Sequence, residues 1–290
     1  MEKIGFIGLG IMGKPMAKHL SRTGYPLFIL SSSAAAASLK EEGAMVLETP
    51  AAMAKQADII ITMLPDSPEV TSMVTGEGNL LQTMKPGSLF IDMSTISPAV
   101  AISLYNQFRE KNIEAIDAPV SGGQTGAEAA TLSIMAGGDE AAFQRALPVF
   151  EKMGKNIVHI GKPGAGQTAK ACNQVVVGMT IQAVAEAMTL AKKSGIDIAR
   201  VRAALLGGFA QSKILDLHGQ RIIDRNFTPG FKIKLHRKDM RIALETASSL
   251  GVPLPGSNIV ASQMDAMLAE GKGELDHSAL ALYLESVSGL

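Results

Sequence analysis

Tryptophan is absent from this 290-residue chain, and only three tyrosines and nine phenylalanines supply aromatic rings. That shortage excludes an aromatic platform for stacking single-stranded nucleic acid. Cysteine occurs once, as Cys172, so neither an internal disulfide nor a cysteine-based zinc cluster is possible. A lone thiol fits a reducing compartment, most simply the cytoplasm. Charge of one sign is also missing in excess, with 27 Lys+Arg against 27 Asp+Glu. Zero net charge without a basic block excludes a general nucleic-acid binder. No apolar run is long. The longest, Ala171–Ala185, is interrupted by Asn173, Gln174, Thr180 and Gln182. A membrane span takes about 20 mostly apolar residues, so this segment reads as a buried helix. Met1-Glu2-Lys3 and the few apolar residues after it do not read as a signal peptide. Internal repeats, low-complexity tracts and long linkers are absent, and Ala34–Ala37 reads as helix filler. What is present is 47% apolar content, enough for a sizeable core, in a length that suits one large or two ordinary domains.

The first half alternates short apolar runs with helical patterns. Residues 4–8, 26–30, 59–64, 88–92 and 114–118 read as strands, apolar on both faces as in a parallel sheet covered by helices. Thr49-Pro50 and Ser97-Pro98 each set a cap residue before a proline at the first helical position. The alternation predicts an α/β fold with a doubly wound, Rossmann-type sheet. Residues 132–136, a helix over 140–152 and residues 157–160 close it. Three glycines and a proline within residues 161–166 then mark a break. The domains are therefore expected as 1–162, a dinucleotide-binding unit, and 163–290, all helical. From Gln167 to Ser194 the only breaker is Gly178. That predicts one helix of roughly 42 Å. Further helices are expected over 198–206, 214–224, 234–250, 256–270 and 277–287.

Gly8-Leu9-Gly10-Ile11-Met12-Gly13 places glycines in the G-x-G-x-x-G pattern between the first strand and a helix. That context is what a dinucleotide-binding turn requires. Gly8 permits the tight turn, Gly10 lets a pyrophosphate approach the backbone, and Gly13 lets helix and strand pack closely. The helix start then offers its N–H groups to phosphate. About 20 residues on, where an acidic residue would bind the ribose of NAD, stands Ser31-Ser32-Ser33. With no carboxylate or arginine in that stretch, NAD and NADP, as NADH or NADPH, both remain open. A cap for the helix near Ala34 is the alternative role for these serines.

Lys170 is a lone charge in an apolar helix. Burial there would be costly without purpose, and would lower its pKa toward the range for proton transfer. The bland alternative is a lysine extended to solvent near the helix start. Asn173, three residues on, shares its face; Gln174 points elsewhere, toward a packing or cap contact. Ser121-Gly122-Gly123 follows a strand end and forms a small nest suited to a carboxylate. Residues 231–239 are the one locally basic stretch, and a solvated helix face is its plain reading. No His/Asp/Glu spacing that would hold a metal is apparent.

Taken together, Phe6–Ala17, Thr62-Met63-Leu64-Pro65, Asp92-Met93-Ser94-Thr95, Asp117–Gly123, Lys170–Gln174 and Lys238-Asp239 resemble the β-hydroxyacid dehydrogenases over essentially the whole chain. Within that family, residues 207–210 and 275–280 are most similar to the tartronate semialdehyde (2-hydroxy-3-oxopropionate) reductases. The resemblance implies an NAD(P)-dependent oxidoreductase that reduces tartronate semialdehyde to glycerate, with Lys170 as general acid and Asn173 beside it on the substrate. Ser121, Gly122 and Gly123 would join these two in binding substrate. Gly8, Leu9, Gly10, Ile11, Met12, Gly13, Ser31, Met63, Leu64, Pro65, Thr95 and Lys238 would bind the cofactor. Asp239 would help hold the site, Phe231 would flank the nicotinamide, and His236 would be structural. A Lys-x-x-His-Asn pattern is missing, which disfavours decarboxylating sugar-phosphate chemistry. The alternatives are a 3-hydroxyisobutyrate dehydrogenase or a glyoxylate/succinic semialdehyde reductase. A cofactor-binding module without chemistry is a different class, and the joint presence of Lys170, Asn173 and Ser121-Gly122-Gly123 speaks against it. The expected partner is a small aldehyde acid, with neither nucleic acid nor membrane, in a homodimer or homotetramer.

Overall fold

The computed structural model describes all 290 residues. They divide into two compact units, Met1–Lys170 and Ala171–Leu290. The first contains β1 (Ile4–Ile7), α1 (Gly13–Arg22), β2 (Leu27–Leu30), α2 (Ala36–Glu41), β3 (Met45–Leu47), α3 (Pro50–Ala54) and β4 (Ile59–Thr62). Then come α4 (Ser67–Thr75), α5 (Leu80–Thr83), β5 (Leu89–Asp92), α6 (Pro98–Glu110), β6 (Glu114–Asp117), β7 (Val120–Ser121) and α7 (Gly123–Glu128). β8 (Leu132–Gly138), α8 (Glu140–Phe150) and β9 (Gly154–Gly161) complete it. Helix α9 (Ala165–Lys193) starts in the first unit and continues into the second, where it is followed by α10 (Ile198–Leu206), α11 (Lys213–Ile223), α12 (Ile233–Ser249), α13 (Pro255–Ala269) and α14 (Leu280–Val287).

All nine strands form one sheet in the order β3-β2-β1-β4-β5-β6-β8-β7, with β9 on β8. Pairing is parallel from β3 to β6, and β8 runs antiparallel to β6 and β7. Every residue of β1, β2, β4 and β5 is buried, as apolar strands between two helical layers must be. Alternate residues feed separate cores: Ile4 and Phe6 pack on one face with Leu89 and Ile91, whereas Ile7 packs on the other with Ile60 and Phe90. Chain order reverses between β1 and β4. Such a switch point opens a crevice at the carboxyl ends of the strands, where α/β sheets bind ligands.

Local signals explain most boundaries. Thr49 Oγ1 accepts from the Ala52 N–H at 3.1 Å and caps α3 ahead of Pro50. Ser97 occupies the same position on α6, but its hydroxyl makes no cap bond. β3 and β7, with three and two residues, are too short to show a period in the sequence. The expected helix over 277–287 begins instead as a 3₁₀ turn, His277–Ala279, capped by the Asp276 side chain. α9 spans 29 residues and is long and apolar enough to cross a membrane by composition, with half of its most apolar window buried inside the protein. Its second-unit side contributes Ile181 to a core with Ile233, Met240, Val260 and Met264, and Val184, Ala185 and Met188 to one with Leu215 and Ile222.

Candidate active site

The Gly8–Gly13 turn lies at the switch point, and its glycines serve different needs. Gly8 has φ +98°, and a Cβ there would collide with the Met63 carbonyl oxygen at the end of β4. A Cβ on Gly13 would run into the Gly8 carbonyl oxygen. Protein packing thus demands both. Around a Cβ on Gly10, by contrast, there is no atom within 4 Å. Nothing in the protein requires glycine there, so the open backbone suits the close approach of a phosphate. A cavity of about 340 Å³ adjoins the turn, lined by Gly8, Leu9, Gly10, Leu30, Ser32, Ser33 and Met73. The residues present therefore fit a dinucleotide. Exposed Ile11 and half-buried Met12 complete the turn, Met12 standing at the head of α1.

The serines after β2 do not stand alone. Ser31 Oγ donates to Glu48 Oε2 at 2.8 Å, because β2 and β3 run parallel and end side by side. A carboxylate therefore occupies the position that the sequence, read locally, leaves uncharged. The cap role also shifts, since α2 starts after Ala35, and it is Ser33 Oγ that accepts from the Ala35 N–H at 3.3 Å.

At the ends of β4 and β5, Thr62 Oγ1 donates to Asp92 Oδ1 at 2.8 Å, and the Leu64 N–H donates to Ser94 Oγ at 2.8 Å. Ser94 is fully buried, so its hydroxyl ties Met63-Leu64-Pro65 to the next strand rather than facing a ligand. Thr95 follows, and Gln167 brackets it. The Gln167 side chain accepts from the Ile96 N–H at 3.1 Å and donates to the Ser94 carbonyl at 2.8 Å. Gln167 is itself 1% exposed and one helical turn before Lys170, which is buried. Asp117, at the end of β6, holds the start of the same helix. Its two carboxylate oxygens accept from the Gly164 N–H at 2.7 Å and the Gln167 N–H at 2.8 Å. Burial pushes the Asp117 carboxyl up to about 7 despite those two donors, and nearby Asp92 pushes the same way. Neither Gln167 nor Asp117 emerges from sequence spacing. The one local signal for Gln167 is a polar residue just after a glycine break, and for Asp117 its place at the head of the Asp117–Gly123 stretch.

Ser121 ends β7, and Gly122 and Gly123 follow with φ of 134° and 60°, a path that side-chain-bearing residues resist. The backbone there turns into α7 under the freedom only glycine gives.

In the second unit Asn173 Nδ2 donates to Gln174 Oε1 at 2.7 Å, and Gln174 Nε2 donates to Asp239 Oδ2 at 2.5 Å. Gln174 is thus the middle of a buried chain, not a packing or cap contact. Lys238 Nζ pairs with Asp239 Oδ1 at 2.9 Å, with its side chain mostly buried, so the basic stretch is not simply a solvated face. Phe231 packs its ring against His236 and His277. Those histidines belong to a cluster that linear spacing hides. His277 Nδ1 lies 3.0 Å from His236 Nδ1, and His277 Nε2 lies 3.2 Å from His218 Nε2. Asp276 adjoins them, and His218, Asp276 and His277 come within metal-ligand reach of one another. Both Asp276 oxygens already accept hydrogen bonds, from Ser278 on one side and from the Gly230 and Phe231 N–H groups on the other. Burial holds His218 below the ordinary histidine range, opposed by Asp276. His236 is completely buried.

Residues 3–161 match the family profile for the NAD-binding domain of 6-phosphogluconate dehydrogenase. Residues 164–284 match that for the NAD-binding of NADP-dependent 3-hydroxyisobutyrate dehydrogenase. The chain is 46% identical over 283 residues to 2-hydroxy-3-oxopropionate reductase of Escherichia coli, covering 98% of this chain and 97% of that one. It is 39% identical to a probable mitochondrial 3-hydroxyisobutyrate dehydrogenase of Dictyostelium discoideum, covering 98% and 91%. Among solved structures, 3-hydroxyisobutyrate dehydrogenase of Mycobacterium tuberculosis with L-serine superposes with a TM-score of 0.90 at 34% identity, covering 98% and 99%. A Rossmann-type sheet with a glycine turn built for a dinucleotide, followed by a helical unit, agrees with these matches. The chain belongs to the 3-hydroxyisobutyrate dehydrogenase-related β-hydroxyacid dehydrogenases, NAD(P)-dependent oxidoreductases that act on hydroxyacids.

Proposed function

We propose that this chain reduces tartronate semialdehyde to glycerate. The observation that carries the choice of substrate is the 46% identity, across nearly the full length of both chains, to a 2-hydroxy-3-oxopropionate reductase. NADH or NADPH, when bound at the Gly8–Gly13 turn with Met63, Leu64, Pro65 and Thr95 at the strand ends, supplies hydride to the aldehyde carbon. Lys170 gives a proton to the aldehyde oxygen, so aldehyde, hydride and proton together yield the alcohol. Asn173, one turn along α9, takes a hydroxyl or carboxylate oxygen of the substrate. Its orientation is supported by Gln174 and, through it, by Asp239. Ser121, Gly122 and Gly123 receive the substrate carboxylate. Lys238, fixed by Asp239, adds positive charge for the anionic ligands. The protein works in the cytoplasm as a homodimer or homotetramer.

A second reading, 3-hydroxyisobutyrate dehydrogenase, is favoured by the TM-score of 0.90 to such an enzyme. Nicotinamide absorbance followed with tartronate semialdehyde, methylmalonate semialdehyde, succinic semialdehyde and glyoxylate separates the two. Tartronate semialdehyde is expected to give the highest kcat/KM. A higher value with methylmalonate semialdehyde would transfer the assignment to the second reading.

A further inference from the structure

The carboxylate that meets Ser31 has no counterpart in the usual arrangement, where the acidic residue itself ends the second strand. Here that position holds a serine, and the charge arrives from the neighbouring strand. Ser31 N–H donates to the Leu47 carbonyl at 2.9 Å, which fixes the two strand ends in register. Glu48, the next residue, then sets its Oε2 2.8 Å from Ser31 Oγ. Because Ser31 spends its proton on Glu48, its oxygen is left with acceptor lone pairs only. The remaining lone pairs of the carboxylate are acceptors too. Acceptors suit the two hydroxyls of an adenosine ribose, which donate. A 2′-phosphate offers no such donors and carries negative charge into the same place. The cavity beside Gly8, Ser32 and Ser33 has no lysine or arginine in its lining to offset it; Lys14, Lys18 and Arg22 line a separate cavity on the α1 side of Gly10, next to Ala34 and Ala35.

Resting on the dinucleotide site proposed above, we propose that Glu48, acting with Ser31, selects NADH over NADPH. Ser31 and Glu48 together rebuild, from two strands, the acidic reader that most such folds carry on one. Like charges a few ångströms apart near a protein surface differ enough in energy for discrimination of about tenfold or more. Screening by salt should weaken it.

The test is equilibrium binding of NADH and NADPH, by quenching of intrinsic tyrosine fluorescence or by calorimetry, to the wild type, Glu48→Gln and Glu48→Lys. Gly10→Val serves as a probe of the turn. Binding rather than turnover is read, so the identity of the aldehyde does not matter. The wild type should bind NADH at least about tenfold more tightly than NADPH. Glu48→Gln should narrow that ratio by about tenfold, chiefly by tightening NADPH, and Glu48→Lys should invert it. Raising ionic strength should improve NADPH binding to the wild type and leave Glu48→Gln unaffected. Glu48 is exposed, so both variants should keep the wild-type circular dichroism and Tm. An unchanged NADH/NADPH ratio in Glu48→Gln, with binding still abolished by Gly10→Val, would overturn the selector and leave the dinucleotide site standing. Equal binding of both dinucleotides by the wild type would overturn it as well. If neither dinucleotide binds the wild type, the selector and the site fall together.

Discussion

Gln167 shows how much one buried amide can organise. It is 1% exposed, and its two polar atoms are both spent on backbone, one on each side of Thr95. A buried amide with both ends satisfied costs nothing further, but removing it leaves the Ile96 N–H and the Ser94 carbonyl without partners, at about 1–3 kcal/mol each. Lys170 follows one turn later on the same helix, so the residue that brackets Thr95 also sits under the proposed proton donor. Two kinds of substitution separate these roles. Lys170→Ala should leave dinucleotide binding and Tm close to wild type, while kcat falls by about 10²- to 10⁴-fold. Lys170→Arg should be nearly as slow, because a guanidinium keeps the charge but does not release its proton. Gln167→Leu should lower Tm and also cut kcat by about tenfold, with the dinucleotide Kd less affected. Steady-state kinetics alongside thermal melts reads all three. Full kcat in Gln167→Leu despite a lowered Tm would reduce Gln167 to a packing role, and survival of turnover in Lys170→Ala would remove it from the proton step.

At the level of the element, the strand–turn–helix of β1 and α1 divides its glycines between architecture and ligand. Gly13 touches the Gly8 carbonyl so closely that a methyl group has no room, whereas Gly10 faces open space with an ordinary φ. Gly13→Ala should therefore destabilise the protein by several degrees in Tm, as backbone rather than a flexible side chain must give way. Gly10→Ala should melt like the wild type and yet bind NADH more weakly, since only the approaching phosphate loses room. Differential scanning fluorimetry with and without NADH checks both. A Gly10→Ala variant that binds NADH normally would mean that the pyrophosphate lies elsewhere. This turn is legible in the sequence because its determinants are six consecutive residues between an apolar strand and a helix. The long helix α9 is legible for the same local reason: few breakers over 29 residues. The carboxylate beside Ser31 is not legible. It comes from 17 residues away, just past a three-residue strand too short to announce itself. Asp117 and Gln167 are hidden in the same way, since their partners lie 47 to 73 residues off and only the sheet order brings them together. The three-histidine cluster joins α11, α12 and the turn before α14, and no spacing in the chain foreshadows it.

For the whole molecule, the informative feature is the surface that α9 leaves uncovered. From Cys172 to Leu190 its exposed residues are Cys172, Val176, Met179, Ala183, Glu186 and Leu190, spaced alternately by four and three, and exposed Lys192 and Lys193 end the helix. That is the heptad spacing of a helix seam, in which Glu186 is the one charge up to Leu190 and Lys193 takes the next position. Val176 is 62% exposed and Leu190 70%. The buried side of the same helix meanwhile carries Gln174, Gln182 and Thr189, so the exposed stripe is no more polar than the side that the chain covers itself. Single exposed apolar residues are ordinary on protein surfaces, but a continuous apolar stripe marks an interaction site. A second copy of the chain is the partner that is always available, and most soluble oligomers are symmetric assemblies of one chain. The wild type should therefore run as a dimer or tetramer in size-exclusion chromatography with light scattering at micromolar concentration. Placing charge in the seam, with Val176→Glu and Leu190→Glu together, should shift it toward monomer. Dilution should do the same to the variant well before the wild type, because mass action then works against a weakened interface. Circular dichroism should stay helical, since neither side chain contributes to the chain's own core. A double variant with unchanged mass would place the self-association away from α9, and a wild type that is monomeric at micromolar concentration would overturn it.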